Sequence, residues 1–349
     1  MTTRSLRLSI PSKGRLSEDS LDFLADCGLE VYKPNPRQYE ASIPSVPELS
    51  VLFQRPADIV ISVRNGSVDF GITGLDVLAE YRGSNGDILT IHSELGYGAC
   101  TLEVIVPDTW TDVNQMEDLA RRQARIGRPL RVATKFPNTA APFFARNDLA
   151  GVHFIAAEGT LEIAPTIGYA DLITDLVSSG TTLRDNHLKR LEDGQILTSQ
   201  ACLIANRSEL VRNPQALATA KTLLEYIVAH LRASKAVSVF ANIRGASPEA
   251  IAQSMFTKQV IGGLQGPTLS PVITRKEEQW YAAHLIVQKD QLSQAIAELR
   301  SIGGSGVVVA PVTYIFEEEP SEYRSMLEAL EQSGEGPSSS DASISASRR

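Results

Sequence analysis

The chain has 349 residues, 43% hydrophobic and 21% charged, with a formal charge of −8. That length holds two or three domains, each with its own core, and the balance is that of a soluble globular protein. A surface this acidic is repelled by a duplex, which excludes wholesale nucleic-acid binding but not anionic small ligands where cations gather locally.

The elements run as follows. Leu6 to Ile10 alternates and predicts a first strand. The turn Pro11 to Gly14 follows, and Ser17-Glu18-Asp19-Ser20 opens a helix through Cys27. Asp58 to Val63 fits a helix turn or a strand, and Asn65-Gly66 closes it. Val68 to Gly74 predicts a short buried strand, with a helix from Asp76 to Tyr81. Cys100 to Val106 and Leu130 to Ala133 predict strands, with a helix over Asn114 to Arg125 between them. A second helix ends at Arg146, and Val152 to Ala156 is again a strand. The segment carrying Asp171 and Asp175 reads as a strand or a buried turn of helix. A helix over Thr182 to Leu188, a returning strand over Gln200 to Asn206 and a long helix from Pro214 to Ser234 come next. This rhythm predicts α/β sheets covered by helices.

After Ser234 the pattern becomes βαββαβ. Its strands are Val237 to Ile243, Thr268 to Ile273, Trp280 to Val287 and Val307 to Phe316. Its helices are Pro248 to Thr257, capped by Ser247, and Asp290 to Ser301. That order predicts a ferredoxin-like domain. Ser333 to Arg349 is rich in Ser, Gly and Pro and predicts a disordered tail.

Cys27, Cys100 and Cys202 form no CxxC pair, and the five histidines form no HxxxH pair, so no zinc signature is present. The first residues lack the apolar block of a signal peptide, and no window approaches the ~20 apolar residues of a membrane span. These features predict a cytoplasmic chain without a membrane partner.

One loop carries the most chemistry. Ser178, Ser179, Gly180, Thr181 and Thr182 follow the two acids. Their N–H groups and hydroxyls can converge on a phosphate, with Gly180 allowing close approach. Asp171 and Asp175 upstream are placed for hydroxyls or a magnesium ion. Phosphate with hydroxyls suggests a sugar phosphate; a Ser/Thr-rich helix cap is the competing reading. Lys13 and Arg15 flank Gly14 where the first strand turns into the first helix, the edge at which open α/β sheets bind ligands. Gly66, Gly71 and Gly74 lead to Asp76, in a spacing unlike a dinucleotide fingerprint. Glu158 and Glu162 flank a glycine turn shortly before Asp171.

In this order the segments resemble the ATP phosphoribosyltransferase family, from about Leu6 to Glu318. The most specific stretch is Glu162-Ile-Ala-Pro165 through Ser178 to Leu183, supported by Asp69 to Asp76 and by Ala133 to Pro137. The resemblance implies two α/β domains like the type II periplasmic-binding-protein fold, plus a ferredoxin-like, ACT-like C-terminal domain. The corresponding boundaries are residues 1–106 with 196–235, 107–195 and 236–320, with the tail over 333–349. It implies transfer of phosphoribosyl from phosphoribosyl pyrophosphate (PRPP) to N1 of ATP, with Mg2+, in the first step of histidine biosynthesis. By similarity Ser178 to Thr182 hold the ribose 5-phosphate, and Asp171, Asp175 and Glu162 lie near the ribose. Lys13, Arg15, Arg55, Asp76 and Val77 match the ATP site. The C-terminal run resembles the long form, which is inhibited by histidine and forms dimers and hexamers. Leu264, Thr268 and Gly306 match its histidine region. A solute-binding protein without chemistry, or an inactive regulatory relative, is the rival reading.

Overall fold

The computed structural model describes residues 5–35, 38–157, 159–178, 180–263, 266–274 and 279–332. The chain divides into two compact units: one runs to Leu224 and resumes at Ser321, and the other is Glu225–Pro320.

The strands of the first unit are β1 (Leu6–Pro11), β2 (Glu40–Ser42), β3 (Leu49–Gln54), β4 (Phe70–Gly74), β5 (Ile88–His92), β6 (Cys100–Pro107), β7 (Arg131–Thr134), β8 (His153–Ala156), β9 (Leu172–Val177), β10 (Leu188–Ser199) and β11 (Ala201–Asn206). Its helices are α1 (Ser17–Asp26), α2 (Pro56–Arg64), α3 (Leu75–Tyr81), α4 (Met116–Ile126), α5 (Pro137–Arg146), α6 (Thr181–Asp185) and α7 (Arg207–Arg212). From here α8 (Pro214–Ser234) carries the chain onward.

These strands make two sheets. The first has the order β2-β3-β1-β4-β11-β5, with β1 parallel to β3 and β4. The second has the order β10-β6-β9-β7-β8, with β7 parallel to β8 and β9. The chain crosses between the sheets twice, from β5 into β6 and from β10 back into β11. Every residue of β4 is buried, as expected of a central strand covered on both faces.

The structure settles one open reading and departs from expectation elsewhere. Residues 58–63 are helical: Pro56 opens α2, and Ile59, Val60 and Val63 turn one face to the core. The predicted helix over Thr182 to Leu188 stops at Asp185, because His187 takes a left-handed φ of 55°. The chain then enters β10, a twelve-residue strand whose register shifts between Arg190 and Gln195. Neither β2, β3, β5 nor β10 was expected.

The second unit contains β12 (Ala236–Arg244), α9 (Pro248–Phe256), β13 (Thr268–Val272), β14 (Trp280–Gln288), α10 (Leu292–Ser301) and β15 (Gly304–Pro311). The sheet is antiparallel in the order β13-β14-β12-β15. Its last strand begins and ends earlier than the predicted Val307 to Phe316. Alternate residues Val237, Val239, Ala241 and Ile243 pack on Ile251, Met255, Ala295 and Leu299 of the two helices. Ser247 caps α9, its hydroxyl accepting from the Ala250 N–H at 3.2 Å. Then α11 (Ser321–Glu331) returns to the first unit, against β5. Arg207 Nη1 donates to the Ala329 carbonyl at 2.7 Å. The predicted tail, 333–349, lies outside the described residues. Among the described residues no helix is long and apolar enough to cross a membrane.

Candidate active site

The C-terminal ends of parallel strands collect the site. In the second sheet, Thr134 of β7 stands opposite Thr174 of β9, so Lys135 and the loop after Val177 share one edge. Thr174 Oγ1 donates to Thr134 Oγ1 at 2.6 Å, and the Phe136 N–H donates to the same oxygen at 3.0 Å. Val177 and Leu183, on either side of the loop, sit in one apolar cluster with Leu161 and Ala164, which flank Glu162. The loop is thus anchored at both ends while Ser178, Thr181 and Thr182 are exposed. Gly180 has a φ of 73°, a conformation that disfavours a side chain.

Asp175 lies in β9 just before this loop, with Leu176 N–H donating to its Oδ1 at 2.8 Å. Burial raises its carboxyl pKa above the ordinary value; Glu162 pushes the same way, and Lys135 pulls against both. Glu162, Asp175, Lys135 and the loop are therefore neighbours. Lys135 falls in the Ala133 to Pro137 stretch that carries the family resemblance, but nothing in the sequence pairs it with Asp175.

In the first sheet the parallel strands β3, β1 and β4 are adjacent. Arg55 follows β3, Lys13 and Arg15 follow β1, and Asp76 and Val77 follow β4. All five predicted ATP-site residues therefore share one edge. Lys13 and Arg55 are exposed, and Val77 is half-buried. Asp76 is only 1% exposed. Its N–H donates to Ser199 Oγ at 3.0 Å, and the Ser199 hydroxyl donates back to Oδ1 at 2.5 Å. Arg15 Nη2 lies 3.6 Å from the same Oδ1. A Cβ on Gly74 would stand 2.2 Å from that oxygen, so this position requires glycine.

The crossover joins the two edges. Val177, Thr101 and Thr198 lie in register across β9, β6 and β10. Two strand spacings, about 10 Å, therefore separate the start of the loop after Val177 from the strand end that holds Asp76 through Ser199.

The structure does not bring every expected residue here. Asp171 precedes β9, at the opposite end from the loop, and Arg131 and Arg128 hold it. Arg128 donates to both its oxygens, at 2.7 and 2.9 Å. The Arg131 N–H donates at 2.8 Å and its Nη2 at 3.0 Å. Burial opposes ionisation of Asp171, but these arginines outweigh it and hold the carboxyl below the usual carboxylate range. These bonds tie Asp171 to the start of β7. In the second unit Thr268 lies on β13 and Gly306 on β15, the two outer strands of the sheet. Three strand spacings, about 14 Å, keep them apart within one chain. Ser179 and Leu264 lie outside the described residues. Among the described residues no group of three His, Cys, Asp or Glu could hold a metal ion. Ser199 was not expected at this site; it bonds Asp76 from 123 residues away in sequence.

Residues 55–232 match the family model described as ATP phosphoribosyltransferase, and 233–314 match its C-terminal domain. The chain is similar to ATP phosphoribosyltransferase 2, chloroplastic, of Arabidopsis thaliana: 44% identical over 332 residues, 93% of this chain and 80% of that protein. It is 32% identical to ATP phosphoribosyltransferase of Nitrobacter winogradskyi over 322 residues, 91% of this chain and 96% of that one. A chain of the solved ATP phosphoribosyl transferase (HisG:HisZ) complex from Thermotoga maritima aligns with a TM-score of 0.48 and 24% identity, over 64% of this chain and 96% of its own length. On its sequence relatives and the family match, the chain belongs to the ATP phosphoribosyltransferase family.

Proposed function

We propose that the two strand edges meeting at the double crossover are the two substrate walls of this enzyme. The chain is an ATP phosphoribosyltransferase of the first step of histidine biosynthesis, joining N1 of ATP to C1 of phosphoribosyl pyrophosphate and releasing pyrophosphate. The observation that carries the site assignment is the register from Val177 through Thr101 to Thr198, beside the Ser199–Asp76 pair.

In this reading Ser178 to Thr182 hold the 5-phosphate through hydroxyls and N–H groups. Asp175 and Glu162 lie beside the ribose and stabilise positive charge as the bond from C1 to pyrophosphate breaks. Lys13, Arg15 and Arg55 hold ATP phosphates, and Asp76 orients Arg15. Lys135 keeps Asp175 and Glu162 from repelling one another unopposed. Magnesium, when bound, neutralises the departing pyrophosphate. We assign the ion largely to the substrates. Holding two substrates in register provides the rest of the rate.

Wild-type protein given ATP, PRPP and magnesium, with a pyrophosphatase present, should release pyrophosphate and change the adenine ultraviolet spectrum. Thr182→Val should raise the KM for PRPP about 10-fold and leave ATP affinity unchanged. Equal losses for both substrates would place the loop elsewhere.

The two α/β halves of the first unit fit a type II periplasmic-binding-protein fold, and the second unit an ACT-like regulatory domain. Histidine is the proposed regulatory ligand. Thr268 and Gly306 can share one histidine only if outer strands of two copies meet, which supports a homo-oligomer. Histidine titrated into the intact protein should lower the rate and raise the melting temperature. No change in either would remove the assignment. The three buried free cysteines fit a reducing compartment, and we assign the cytoplasm.

A further inference from the structure

We propose that Glu80 is a positioning residue that fixes one substrate wall against the other. It lies in α3, four residues after Asp76, and is 5% exposed. Its carboxylate reaches the N-terminus of α5 in the other half of the unit. The Asn138 N–H donates to Oε1 at 3.0 Å, and the Thr139 N–H donates to Oε2 at 2.9 Å. The Thr139 hydroxyl also donates to Oε2, at 2.9 Å, and Asn138 Nδ2 donates to the Glu80 carbonyl at 3.3 Å.

These bonds complete a helix end that lacks its own cap. The residue before α5 is Phe136, which makes no side-chain cap, and Pro137 has no N–H. Glu80 supplies the cap from 58 residues upstream. A carboxylate is suited to this place, because it meets the positive end of the helix dipole.

Lys135 lies two residues before the first residue of α5. The turn it occupies is fixed on one side by Thr134 and Thr174 and on the other by Glu80. Asp76 and Glu80 are one helical turn apart and therefore share a face of α3. Asp76 is bonded to Ser199, the last residue of β10, and Glu80 to α5. Two buried carboxylates thus bolt one short helix to two elements of the opposite half. Moving Glu80 would displace Lys135, and with it Asp175 and Glu162, relative to the ATP wall. The Glu80 carboxylate is buried and taken up by α5, so each substrate should still bind alone; what is lost is their mutual alignment.

This inference rests on the two-wall reading above. The test uses the full chain with wild type, Glu80→Gln and Glu80→Ala. At saturating ATP and PRPP, kcat should fall about 10-fold in Glu80→Gln and about 100-fold in Glu80→Ala. The dissociation constants of ATP alone and PRPP alone should stay within about 3-fold of wild type. The assays are run well below each variant's own melting temperature, so the folded fraction is equal. Unchanged kcat in the folded variants would overturn the proposal. Loss of binding for either substrate in parallel with kcat would also overturn it. If wild type itself gave no product, the functional reading would fail instead. Glu80→Gln keeps the side chain's size, so it remains informative should the alanine variant misfold.

Discussion

Asp175→Asn is expected to lower kcat/KM by about 100- to 1,000-fold while making the protein harder to unfold. The carboxylate is half-buried, and burial is the main reason its pKa is raised. The nearby Glu162 adds to the rise, and only Lys135 and the Leu176 N–H favour the charged form. A carboxyl that binds its proton more tightly when folded stabilises the fold below its unfolded pKa, about 4. That contribution is lost as pH rises through the folded value, so at neutral pH the ionised group is a net cost. Asparagine retains an oxygen for the Leu176 N–H and carries no charge to bury. The melting temperature at neutral pH should therefore rise, by about 2 °C. In the rate profile, wild-type activity should fall on the acid side at a pH above the ordinary carboxylate range. That limb should be missing from the residual activity of the variant. A variant that loses activity and stability together would mean that Asp175 is part of the scaffold.

Asp171→Asn should do the reverse. Its apparent melting temperature should fall by about 3–5 °C, and kcat should stay within about 3-fold of wild type. The carboxylate accepts from two guanidinium groups and the Arg131 N–H, so removing its charge weakens several bonds at once. Both arginines are substantially exposed, which limits the loss through solvent screening. The sign of the pH effect is also opposite. A carboxyl held below its ordinary value stabilises the fold above pH ~4, and this is lost as pH falls through the folded pKa. In thermal melts the gap between the two proteins should be constant from pH 7 to about pH 5, begin to narrow only below pH ~4, and still be largely present at pH 3. Collapse of kcat in well-folded Asp171→Asn would return this residue to the chemistry.

The contrast between these two acids shows where the sequence was legible. Both precede the loop that begins at Ser178, four residues apart, and in a helix they would share a face. In a strand the same separation spans about 13 Å, so they stand at opposite ends of β9. The segment alone fits either form. The loop was more legible, because Gly180 and the hydroxyl residues carry their meaning locally. Lys13, Arg15, Arg55 and Asp76 were each marked by a turn or by family resemblance. Their common edge depends on the pairing of β1 with β3 and β4, which no local pattern reveals. The short β2 and β5 become strands only because a neighbour offers them hydrogen bonds. Glu80 could not be found at all: within its own helix it is an ordinary acid, and its partners begin 58 residues later.

The return of α11 to the first unit makes the second unit an insertion rather than an appendage. β5 is an outer strand of its sheet, and α11 packs against it. Cutting the chain after Leu224 would remove α11 along with the second unit. The uncovered strand would then present main-chain donors and acceptors to other molecules, a standard route to aggregation. The first unit is better isolated by excising Glu225–Pro320 and rejoining the ends than by truncation.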